Sequence, residues 1–263
     1  MVEAATIDVN NRTKNQLRLL TYNIQSGIDT KRYREYLTKG WRQLLPHRER
    51  QLNLNRIANM LHQYDIVGLQ EVDAGSLRSG FIDQTEYLAH RAGFPYWYKQ
   101  VNRKLGKFAQ HSNGLLSKIQ PSWINEYRLP GLPGRGVMVV EFESSNETLA
   151  ICILHLALSR RARSRQLTYL SELVGHYQHL IVMGDFNCNS EAREFQALTE
   201  STQLKSPSNE LKSFPSWRPL RMLDHILASP SLIIEQAKVL DYPHSDHLPV
   251  SVDILLPESI QFL

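Results

Sequence analysis

Residues 149–156 read LAICILHL and residues 179–186 read HLIVMGDF. Both are short apolar runs of strand character, and each ends on groups able to do chemistry: His155 in the first, Asp185 in the second. Residues 136–143 (GVMVVEFE) precede the first run and join it through SSNET, a hairpin-turn composition. A long helix is expected over residues 160–178, between the two runs. A helix near 191–200, a Ser- and Pro-rich loop over 201–221, and strands over 223–228, 232–239 and 247–255 follow.

Toward the N-terminus, residues 17–23 (LRLLTYN) read as a strand. Apolar residues at 54, 57, 58 and 61 mark one face of a helix over 48–63, and DIVGLQE (65–71) is a buried strand ending in an acid. A helix over 84–92 and short runs at 96–101, 113–117 and 123–129 complete the series. Residues 1–16 are a polar lead-in, and 17–263 are expected to form one domain. Many strands with a few interleaved helices argue for mixed sheets flanked by helices, not for a simple βαβ winding.

The bulk properties set outer limits. The chain has 263 residues, 42% hydrophobic and 21% charged, within the size and composition of a single α/β unit. A formal charge of +4 and a pI of about 9.0 favour an anionic substrate. Two cysteines make no disulfide framework, and no Cys/His spacing suggests zinc. The sequence shows no basic-then-apolar leader, and its longest apolar run is too short to span a bilayer, so a cytoplasmic enzyme without stable membrane insertion is expected. No protein partner is legible.

Asn23, Glu71, His155, Asp185 with Asn187, and Asp246 with His247 all fall at strand ends, where a rigid sheet can gather them on one rim. Singly, each acid reads as a turn former or cap; jointly, capping explains them poorly. Hard carboxylate oxygens without a Cys/His cluster suit Mg²⁺ or Mn²⁺. A histidine can protonate a leaving oxygen or steady phosphoryl charge, and a carboxylate beside an amide can position water. These are parts for metal-assisted hydrolysis of a phosphate ester.

In order along the chain, LLTYNIQSG, GLQEVD, HSNGLLS, VMGDFN, LDHIL and SDHLPV resemble the endonuclease/exonuclease/phosphatase superfamily. That resemblance implies a DNase I-like fold: α/β of the α+β type, a four-layer sandwich of two packed mixed β-sheets flanked by helices. It also implies Glu71 as main metal ligand with Asn23 and Asp246 close by. Asp185 would orient or deprotonate water, with Asn187 steadying it or the phosphate. His247 would contact the phosphate, oriented by Asp224, and Asn113 would be a phosphate-side contact. His155 resembles the second histidine found in the DNase I-, sphingomyelinase- and phosphatase-like branches, as leaving-group acid or phosphate contact; no carboxylate presents itself as its orienter.

Arg135, between two glycines, reads as a phosphate contact or a plain turn. Arg160, Arg161, Arg163 and Arg165 read as a solvated helix face or an anion contact. The basic and aromatic stretch 29–47 is open to three readings: a nucleotide grip, a lipid-headgroup surface, or an ordinary amphipathic helix. Nucleic acid is the first substrate expected. An inositol phosphate or sphingomyelin-like lipid is the alternative, and a non-catalytic scaffold is disfavoured because every motif position keeps a competent residue.

Overall fold

The computed structural model describes residues 15–28, 48–144, 147–207 and 210–262. Most of the lead-in, the 29–47 stretch and turn residues 145–146 lie outside the described residues. In chain order the strands are β1 (Gln16–Asn23), β2 (Ile66–Asp73), β3 (Tyr96–Leu105), β4 (Ala109–Ser117), β5 (Trp123–Arg128), β6 (Gly136–Ser144), β7 (Glu147–His155), β8 (His179–Asp185), β9 (Asp224–Ala228), β10 (Ile233–Val239) and β11 (Val250–Leu255). The α-helices are α1 (Arg48–Leu61), α2 (Gln84–Ala92), α3 (Arg160–Val174) and α4 (Arg193–Thr202).

The strands make two mixed sheets, ordered β10-β11-β1-β2-β4-β3 and β5-β6-β7-β8-β9. Among the described residues only β1–β2 and β7–β8 are parallel pairs, and their crossovers contain α1 and α3, the usual parallel connection. Alternation along the central strands explains the layering. Leu17 and Leu19 of β1 join Ile151 and Ile153 of β7 and Ile181 and Met183 of β8 in the core between the sheets. Leu20 and Tyr22 face the other way, onto Leu54 and Ile57 of α1 and Leu88 of α2. Likewise Cys152, Leu154, Leu180 and Val182 turn outward onto Leu167 and Leu170 of α3 and Phe195 of α4. A strand buried on both faces has no polar face to show, which is why these segments read as continuous apolar runs. The result is the helix–sheet–sheet–helix sandwich implied by the motifs.

Two boundaries move for physical reasons. Helix α3 stops at Val174 instead of 178, at Gly175, a poor helix former. Strand β11 starts at Val250, so His247 stands in a loop: Pro249 has no N–H for a ladder, and the Leu248 N–H goes to the Ser213 carbonyl. Among the described residues no helix is long and apolar enough to cross a membrane.

Candidate active site

Strand register builds one row of the site. His155 of β7 pairs with Asp185 of β8, and Asp185 pairs with Asp224 of β9. The other sheet supplies Asn23 at the end of β1, whose Nδ2 donates to Asp185 Oδ2 at 3.0 Å. The loop before β11 is tied to the same place, with Ser245 Oγ donating to the Asn23 carbonyl at 2.7 Å. The two sheets therefore meet through polar groups at one end of the sandwich, and Asp185 is the buried junction. Burial raises its pKa to about 7; His247, Asn23 and the Asn187 backbone act against that, while Asp224 adds to it.

His247 is held from one side. Its Nδ1 lies 2.7 Å from Asp224 Oδ2, which also accepts from Ser213 Oγ at 2.5 Å. The Phe214 ring packs at 4.8 Å between centroids. Nδ1–H pointing at a carboxylate leaves Nε2 facing the site, 3.8 Å from Asp185 Oδ2. Burial alone would lower the pKa of His247, but Asp224, Asp185 and Asp246 outweigh it and raise it to about 10. The ring is thus a cation at neutral pH. Asp224→Asn is expected to bring the alkaline limb of the kcat/KM profile down from there toward the ordinary imidazole value of about 6.5; an unmoved limb would mean the cation is not required.

His155 has the opposite electrostatics. Arg135 Nη1 lies 2.9 Å from its Nδ1. A guanidinium only donates, so Nδ1 accepts and the ring hydrogen sits on Nε2, 3.3 Å from Asp185 Oδ2. Burial, with the charges of Arg135, His247 and His111 added, holds its pKa well below the usual value. His155 is a neutral donor, oriented by an arginine where the sequence offered no carboxylate.

Glu71 is aimed by a bulge. The β2–β4 register shifts between Leu69 and Val72, setting Gln70 and Glu71 against a single residue of β4. Glu71 adopts φ 56, a strained conformation for a glutamate. Its pKa is raised by burial and then by Asp246, with His247, Arg135 and Asn23 pulling the other way. Two hard-oxygen groups close enough for one to raise the pKa of the other fit a divalent cation. Asp185, Asp224 and His247 also bring potential ligand atoms within 4.8 Å of one another, with His247 Nδ1 and Asp224 Oδ2 already engaged with each other.

Asn187, at φ 54, gives its backbone N–H to Asp185 Oδ1 at 2.9 Å and its side-chain Nδ2 to the Leu156 carbonyl at 2.9 Å. Asn113 is buried, and its Nδ2 lies 3.2 Å from both Gln100 Oε1 and the Gly136 carbonyl, linking the sheets beneath Arg135. Arg163 is buried as well: it pairs with Glu194 at 2.8 Å and joins α3 to α4, while Arg161 and Arg165 are exposed. His225 turns away, with Nε2 2.9 Å from the Cys188 carbonyl. Sequence reasoning missed Ser213. A serine in a Ser- and Pro-rich loop gives no sign that it will meet Asp224.

A family model described as the Endonuclease/Exonuclease/phosphatase family matches residues 20–247. Comparison with curated proteins gives no match. Among solved structures, an endonuclease/exonuclease/phosphatase from Beutenbergia cavernae is similar at TM-score 0.72 and 18% identity, over 93% of this chain and 72% of that one. The mannosyl-6-phosphatase Bt3783 of Bacteroides thetaiotaomicron is similar at TM-score 0.66 and 18% identity, over 91% and 100%. The human Nocturnin catalytic domain is similar at TM-score 0.66 and 21% identity, over 91% and 93%. At these identities the structural likenesses speak for the fold, while the family model covers most of the chain: it belongs to the endonuclease/exonuclease/phosphatase family, hydrolases of phosphate esters.

Proposed function

We propose that this chain is a Mg²⁺-dependent phosphodiesterase, with Mn²⁺ an acceptable substitute, and that Asp185 activates the attacking water. The observation that carries the reading is the junction at Asp185, where Asn23 from one sheet and His155 from the other converge on Oδ2 while the Asn187 N–H holds Oδ1. A carboxylate fixed at both oxygens with its pKa raised by burial is a general base poised near neutral pH. Glu71 and Asp246, with Asn23 beside them, are the residues that would hold the ion, which supplies Lewis acidity toward a phosphoryl oxygen.

The remaining side chains divide the charge. Cationic His247 stabilises the negative charge that builds on the phosphoryl group, with Asp224 and Ser213 keeping it oriented. Neutral His155 donates from Nε2 to a substrate oxygen, and Arg135 sets its tautomer and adds positive charge. Asn113 and Asn187 position their neighbours through the hydrogen bonds they already make.

On bis(p-nitrophenyl) phosphate, chelation with EDTA is expected to abolish hydrolysis and Mg²⁺ to restore it. Activity that survives complete chelation contradicts the proposal. In the same preparation Mg²⁺ should raise the melting temperature of the native chain but not that of Glu71→Gln. Binding at about a hundred times Kd is worth about 2.7 kcal/mol, or roughly 5–10 °C for a chain of this size. Nucleic acid, the first substrate suggested by the sequence, rests on the mild positive charge. The lipid alternative is favoured by a specific feature of the rim.

A further inference from the structure

Six of the ten large apolar side chains left exposed among the described residues lie at one end of the sandwich: Phe81, Leu105, Phe108, Leu132, Leu158 and Leu220. The topology places them there. The β3–β4 hairpin, carrying Leu105 and Phe108, turns back beyond Asp73, the last residue of β2. The 74–83 loop with Phe81 leaves β2 at that end and hydrogen-bonds the hairpin through Leu77 and Arg78. Leu132 lies in the β5–β6 connection, opposite the end of β7. Leu158 follows His155, and Leu220 precedes Asp224. This is the end that carries the active site.

The same loops are basic. Segments 103–109, 128–135, 156–161 and 212–223 together carry ten lysines and arginines and no acid, in a chain whose whole excess is +4. Lys104, Lys107, Arg161 and Arg218 are exposed beside the apolar tips. The apolar-tipped loops carry two acids, each paired with a lysine: Asp83 with Lys99, and Glu210 with Lys212; Glu191 and Asp241 stand on loops with no exposed large apolar residue. An open cleft of about 970 Å³ runs from Arg135 out to Leu105 and Leu132.

We propose that this rim docks the enzyme on a bilayer bearing anionic headgroups and presents the site to a phospholipid phosphodiester. The inference rests on the phosphodiesterase reading for its substrate and on the rim alone for its docking. Apolar tips interleaved with cations fit a surface whose interior is hydrocarbon and whose face is negative. A single-stranded nucleic acid would satisfy the cations, but it gains most from flat aromatic platforms. Four of the six tips are leucines, and the two most exposed are Leu132 at 86% and Leu158 at 76%.

The test is sedimentation of the whole chain with vesicles of phosphatidylcholine alone, or of phosphatidylcholine and phosphatidylglycerol in equal parts. Wild type is expected to bind the mixed vesicles at least about tenfold more tightly. Combining Phe108→Ser, Leu132→Ser and Leu158→Ser should weaken that binding by about tenfold or more, with hydrolysis of bis(p-nitrophenyl) phosphate unchanged. Wild type that stays in the supernatant with both vesicles overturns the proposal. So does a triple variant that binds like wild type, or loss of single-stranded DNA binding in that variant when wild type ignores vesicles. Absence of soluble hydrolysis in wild type counts against the phosphodiesterase reading instead, and vesicle binding is read independently of it.

Discussion

Asp185→Asn is expected to lower kcat/KM on an aryl phosphodiester by at least about a hundredfold, the scale of a lost general base, with circular dichroism unchanged. The substitution preserves shape and removes the proton acceptor. Asn23 and the Asn187 N–H donate to Asp185, one to each oxygen, with His155 Nε2 3.3 Å from Oδ2; an amide offers them one acceptor oxygen where the carboxylate offers two. Stability should move differently. An acid whose folded pKa is raised binds more protons folded than unfolded, so the native state loses stability as pH rises from the unfolded carboxylate pKa, and the cost is complete above the folded pKa of about 7. Measured in chelator at pH 8, the variant should therefore melt no lower than wild type. A tenfold or smaller loss of rate would show that Asp185 is not the base. A large fall in melting temperature would show that its contribution is structural.

Gly184→Ala should prevent folding, or destabilise the chain by more than about 4 kcal/mol in urea titration. Gly184 has φ 148, and a Cβ there would lie 2.0 Å from the Leu154 carbonyl oxygen and 2.9 Å from its carbon. The obstruction is backbone of the adjacent strand β7, at the centre of a sheet buried on both faces, and no side chain can move to relieve it. Gly93→Ala is the control. Gly93 caps α2 at φ 74, with nothing within 4 Å of a built Cβ, so only the left-handed backbone preference is lost, about 1–2 kcal/mol. Equal effects at the two positions would refute the steric argument.

Much of this architecture was legible in the sequence, for identifiable reasons. Strands buried on both faces leave unbroken apolar runs, and β7 and β8 stand where LAICILHL and HLIVMGDF put them. The gathering of Asn23, His155, Asp185 and His247 was expected from chemistry-bearing groups at strand ends, and Asp224 from the resemblance of LDHIL to a family motif. Relations between distant segments were not legible. Ser213 reaches Asp224 through a loop whose composition says only that it is a loop. Arg135 reads as a phosphate contact or a plain turn, yet its guanidinium meets His155, and that neighbour fixes the imidazole as neutral. The bulge that turns Glu71 toward the rim is a register event between β2 and β4, invisible in either strand alone. The exposed leucines of the rim are ordinary residues one at a time; topology makes them a surface.

The pairing of β1 with β11 sets when the enzyme can become active. Gln16 is opposite Leu255, so a strand in the middle of the first sheet waits for nearly the whole chain before it gains its second neighbour. Residues 123–228, by contrast, complete the second sheet without interruption. As the chain emerges from the ribosome, His155, Asp185 and Asp224 can reach their row before Asp246 and His247 have emerged. The last strand closes a long-range contact of the kind that forms slowly. Nascent chains therefore hold half a catalytic apparatus, and competence arrives with β11 and the loop before it.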